Sequence, residues 1–157
     1  MALSRRSMLW MVPGATIAVP LGTRLFAQPA QGAVNAERGI AVRGTDVVAY
    51  FTAGAPVPGR AEFAHEWGGA TWRFASAANR DLFAADPARY APAYGGFCAY
   101  AVSEGYTAPI DPNAWRIVDG RLFLNFDRGV QRRWERDIPG RIARADANWP
   151  RVAPSRP

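Results

Sequence analysis

The chain has 157 residues, 49% apolar and 20% charged, a balance that suits one hydrophobic core and leaves little for a second domain. Its 19 basic side chains are all arginine, so the formal charge of +6 speaks of a bias toward that residue before it speaks of a nucleic-acid partner. With a single cysteine, Cys98, and a single histidine, His65, the chain offers too few donors for a four-ligand structural zinc site. It also has no Gly-rich phosphate loop, which argues against phosphoryl and hydride transfer.

The N-terminus carries Arg5 and Arg6 ahead of an apolar run from Met8 to Leu21, broken by Pro13, Gly14 and Pro20. Such a run falls short of the roughly 20 apolar residues that span a bilayer. Ser4-Arg5-Arg6-Ser7-Met8-Leu9 is similar to a twin-arginine export signature, so residues 1–27 are expected to be a signal peptide, cleaved after Ala27 or Ala30. The expected product is periplasmic, without a stable membrane anchor. Its charge is nearly balanced, 16 basic against 13 acidic residues, because the signal takes three arginines and no acid. The basic stretch from Asp127 to Arg144 is interleaved with Glu135 and Asp137 and reads as a solvated helix face, not a nucleic-acid interface. Every methionine leaves with the signal, removing thioether ligands.

Residues 28–38 read as a linker, with order expected near Ile40 and one domain over 39–152, followed by a disordered tail, 153–157. The run Asp46–Phe51 (DVVAYF) predicts a short apolar strand. AEFAHEW and ATWRFA flank Gly68-Gly69 and predict a hairpin in which Phe63, His65 and Trp67 share the apolar face. Ser76 is positioned to cap a helix that buries Leu82 and Phe83 and stops at Pro87. Tyr90, Tyr94, Phe97 and Tyr100 read as core and wall residues. Gly95 and Gly96 permit a tight turn into a helix beginning near Phe97, whose amides would lower the Cys98 pKa. AWRIVDGRLFLNF is a second hairpin, turning at Asp119-Gly120. Asp127 caps a helix carrying Val130 and Trp134, and Pro139 opens a last one through Ile142 and Ala145, with the residues from Trp149 onward expected to fray. The predicted class is α+β, a single small domain of β-hairpins packed with short helices.

The segments GTDVVAYFTAGAPVPG, GGATWRFASAANRDLFAADPARYAPAYGGFCAYAVSEGYTAP and DPNAWRIVDGRLFLNFDRGVQRRWERDIPGRIARADANWP resemble the exported YHS-domain proteins, a group that includes the YHS-domain (seleno)proteins. The resemblance runs from about Gly39 to Pro150 and implies a small α+β domain related to modules attached to heavy-metal-transporting ATPases. In that wider group the strand-to-helix junction commonly carries F-C-S-x-x-C-x-x-x-F, two thiols one helical turn apart. The corresponding positions here are Ala75 and Asn79, so the resemblance carries over the fold but not that thiol pair.

In an oxidising compartment an unpaired cysteine is buried and inert, bound to a metal or cofactor, or free for intermolecular exchange. Three readings follow. The first is an exported metal- or cofactor-binding, redox-related module built on Cys98, with Cys98 and His65 as ligands to a soft, copper-like ion and a metal ion or redox partner protein as its associate. The second is a cofactor-free structural or interaction domain with a buried thiol. The third, against which the lack of a resolving cysteine weighs, is a thiol enzyme pairing Cys98 with His65 and using Asp46 or Asp111 to orient the imidazole.

Overall fold

The computed structural model describes residues 34–154. The expected signal peptide lies outside the described residues. Within them the chain forms two small sheets and six α-helices, the α+β class expected.

Order begins earlier than Ile40. Ala36–Glu37 (β1) pairs antiparallel with Ile40–Ala41 (β2), so part of the expected linker is sheet. Asn35 ties this edge down: its backbone N–H and its side-chain amide donate to the Gly95 and Gly96 carbonyls at 2.8 and 3.0 Å, and its carbonyl accepts from Val42.

The expected strand at DVVAYF is instead a turn into a helix, Ala49–Thr52 (α1). A short continuous apolar run does not distinguish a buried strand from a buried helix. Asp46 decides here, because its Oδ1 accepts from the backbone N–H of Val48 and Ala49 at 2.9 and 3.1 Å and curls the chain.

The first hairpin forms as expected. Arg60–Trp67 (β3) pairs with Ala70–Phe74 (β4), and both turn glycines take positive φ, 63° and 81°. β2 joins β4 in parallel, giving the order β1-β2-β4-β3. Ala77–Ala85 (α2) starts at Ser76, whose hydroxyl accepts the Asn79 N–H at 3.1 Å. It buries Phe83 but leaves Leu82 43% exposed, since adjacent helical positions point about 100° apart and only one reaches the core. Pro87–Tyr90 (α3) follows directly.

Ala99–Glu104 (α4) begins two residues later than expected. Asp111–Val118 (β5) and Arg121–Asn125 (β6) form the second hairpin, turning at Asp119-Gly120 with φ of 50° and 75°. Arg128–Trp134 (α5) is capped by Asp127, which accepts the Val130 N–H at 2.7 Å. Ile138–Val152 (α6) continues through Pro150, so Trp149 lies in ordered helix and not in a frayed end.

β6 and α4 divide the interior in two. On β6, Leu122 and Leu124 face a first core with Trp72, Phe74, Phe83 and Tyr50, while Phe123 faces a second with Trp134, Tyr94 and Ala145. On α4 and its cap, Cys98 and Ala101 enter the first core and Ala99 and Val102 the second. The period-2 and helical alternations thus place apolar residues on both faces of these two elements.

Candidate functional site

Cys98 is the N-cap residue of α4 and is 1% exposed. Its Sγ accepts the Phe126 backbone N–H at 3.3 Å and donates to Asn125 Oδ1 at 3.8 Å. The same Asn125 oxygen takes the Tyr100 N–H at 3.2 Å. Burial pushes the thiol above its ordinary pKa; amide N–H groups of Ala101, Phe126 and Tyr100 pull the other way and lose, and the Asp127 carboxylate adds to the rise. The expected helix-lowered thiol is therefore reversed, because leaving water costs a thiolate more than a short helix terminus returns.

His65 stands opposite Trp72 in the first hairpin, half-buried, with its ring edge-on to Phe83 at a centroid distance of 6.1 Å. It lies on the apolar face as expected. Among the described residues no hydrogen bond or ring contact joins it to Cys98. The groups within hydrogen-bonding reach of the Cys98 sulfur are the Phe126 N–H and the Asn125 side-chain oxygen, and among the described residues neither the imidazole nor a carboxylate bonds to it. No group of three or more His, Cys, Asp or Glu side chains suited to a metal occurs among the described residues.

The carboxylates considered as orienters of the imidazole are committed elsewhere. Asp46, fully buried, accepts from Val48 and Ala49 through Oδ1 and from the Ala75 N–H and Asn79 Nδ2 through Oδ2, at 2.8 and 2.7 Å. Asp111 accepts from the backbone and side-chain amides of Asn113. Ala75 and Asn79 are the two positions at which the resemblance noted above places thiols. Here both donate to one acid, which joins α1 to the β4–α2 junction.

A different place in the fold is open. A groove of about 530 Å³ lies between the first hairpin, α3, the Tyr94–Gly96 turn, the second hairpin and the end of α6. Trp67, Tyr94 and Trp149 supply aromatic walls, small residues at Ala91 and Ala93 also line it, and Arg89, Arg121 and Asp146 bring charge. Tyr94, Gly95 and Gly96 run through three consecutive positive φ values, 57°, 61° and 83°, a conformation that costs a tyrosine of order 1 kcal/mol. The Tyr94 ring packs on Phe123 and Trp149, both at 5.9 Å, and its hydroxyl donates to Asp146 Oδ1 at 2.9 Å.

Arg121 completes this cluster with a two-pronged bond to Asp146, 2.9 and 3.1 Å, and its guanidinium lies over the Phe123 ring at 5.0 Å. Burial would raise the Asp146 pKa, but bonds from Arg121 and Tyr94 outweigh it and hold the carboxyl below its usual value. The folded form thus gains stability above the ordinary carboxylate pKa of about 3.9 and loses it as pH falls through the lower folded value. Both side chains are nearly half exposed, so the gain is at most about 1 kcal/mol. Urea midpoints measured downward from pH 5 should fall less steeply for Asp146→Asn than for the unmodified chain; parallel curves would remove this pair from the acid response.

Residues 48–94 match the family model of the YHS domain. The chain carries a YHS domain. The matched stretch runs from the residue before α1 to Tyr94, so the YHS domain supplies the first hairpin, α2, α3 and one side of the groove. Arg121, Asp146 and Trp149 come from beyond it, as does Cys98. Neither the comparison with curated proteins nor that with solved structures gave a match.

The groove is not legible in the sequence, although one signal for it is present. Ile138, Ile142, Ala145, Trp149 and Val152 form a helical stripe that continues past Pro150 and already marks Trp149 as packed. Nothing comparable in the sequence joins Arg89 to Trp67 or Arg121.

Proposed function

We propose that the protein is an exported, non-enzymatic YHS-domain module that binds a small ligand in the groove walled by Trp67, Tyr94 and Trp149, with Cys98 as a packing thiol. The observation that carries this reading is the contrast between an open aromatic groove at the border of the YHS stretch and a sulfur sealed among backbone amides. A volume near 530 Å³ falls within the range of small-molecule sites, roughly 300 to 1,000 Å³. Export rests on the arginine pair and broken apolar run at the N-terminus. Titration of the full chain with 2-naphthamide, followed by tryptophan fluorescence, should give saturable quenching that Trp149→Leu weakens and Cys98→Ala leaves unchanged. Saturation indifferent to Trp149 would remove the groove from the reading.

A metal-related module is the second reading, favoured by the YHS match itself. It would use Cys98 with His65 for a soft ion. Native-state labelling with a thiol reagent, together with metal analysis of protein recovered from its own compartment, separates the two. On the leading reading Cys98 reacts only after urea is added, and metal content is equal with and without Cys98→Ala. Metal lost with the sulfur establishes the second, and fast native labelling removes the packing role of Cys98.

A further inference from the structure

We infer that the groove selects a small planar anion, of the aromatic or heteroaromatic carboxylate class, and that Arg89 reads its charge. The inference deepens the groove reading proposed above and rests on it. Three charged side chains line the groove: Arg89, Arg121 and Asp146. Asp146 and Arg121 satisfy each other through paired bonds, and the Tyr94 hydroxyl takes up a further share of the carboxylate. What remains uncompensated is one positive charge. Arg89 is exposed and makes no ion pair with any carboxylate among the described residues; its guanidinium lies 5.5 Å from the Tyr90 ring centroid. Its five N–H donors suit a carboxylate in two-pronged geometry.

The shape of the ligand follows from the walls. Trp67 and Trp149 both line the groove, one from a strand and one from the last helix, and both are half-buried. Trp67 is held against Trp72 and Phe83 at centroid distances of 5.9 and 5.8 Å. Trp149 is held against Tyr94 and Phe97 at 5.9 and 6.1 Å. Packed on their inner sides, these rings are preorganised to accept a flat apolar body with little further loss of side-chain freedom. The small lining residues Ala91, Ala93 and Gly95 let such a body approach the backbone.

Isothermal titration calorimetry of the full chain with 2-naphthoate and with its uncharged relative 2-naphthamide tests this. The carboxylate should bind at least about tenfold more tightly, the worth of one charge-assisted bond. Arg89→Gln should abolish that difference while leaving naphthamide binding intact, and Arg132→Gln, on the exposed side of α5, should preserve it. Equal affinities for both probes in the unmodified chain overturn the charge selection and leave the groove reading standing. Binding of neither probe overturns both. A concentration-dependent doubling of mass in sedimentation that excludes both probes would give the groove to a second copy of the chain and likewise overturn the inference.

Discussion

Asp46→Ala is expected to lower the free energy of unfolding by about 3 to 5 kcal/mol, because it strands the donors of Val48, Ala49, Ala75 and Asn79 around a buried gap. Against a typical total of about 5 to 15 kcal/mol, that is a large fraction. Asp46→Asn retains one acceptor oxygen but turns an N–H toward donors on the other side, so its cost should be smaller, about 2 kcal/mol. Asn79→Ala removes a single donor and should cost least. This ranking distinguishes a hub from a generally sensitive position. Urea midpoints read by tryptophan fluorescence provide the measurement, and an Asp46→Ala midpoint within error of the unmodified chain would show that water satisfies these amides equally well.

The second large effect is expected at Gly96. Its φ of +83° disfavours any side chain, and a Cβ there would stand 3.0 Å from Val42 Cγ2 and 3.2 Å from Pro92 Cγ. Val42 is fully buried and cannot easily yield. Gly96→Ala should therefore cost about 2 to 3 kcal/mol, strain and crowding together. Gly54→Ala is the natural comparison: φ is +65°, but nothing lies within 4 Å, so only the backbone strain of about 1 kcal/mol remains. Because the Tyr94–Gly96 turn also holds one wall of the groove, Gly96→Ala should weaken 2-naphthamide binding as well, whereas Gly54→Ala, away from the groove and with no crowding, should leave it unchanged. Equal losses at the two glycines would sink the crowding argument.

Both predictions fall where sequence reasoning reached least far. Its successes were local. The Gly68-Gly69 and Asp119-Gly120 turns, the Ser76 and Asp127 caps and Pro139 at the start of α6 all act within a few residues of themselves, so their effect is visible in the string. At DVVAYF the reading failed, because the choice between strand and helix lay with the Asp46 side chain, which also reaches Ala75 and Asn79 about 30 residues on. Composition isolates Cys98 as the one thiol but says nothing of the burial that raises its pKa.

The sequence by itself determined the α+β class, the two hairpins, the starts of α2, α5 and α6 and the resemblance to YHS-domain proteins, since turn chemistry, capping and hydrophobic period are short-range and survive translation into one dimension. Only the tertiary structure decided which residues meet. Trp67, Arg89, Tyr94, Arg121 and Trp149 become neighbours across more than 80 positions of chain because two cores share β6 and α4 and bring the YHS stretch against the last helix. A site assembled that way has no local signature, and its chemistry exists only once the chain has folded.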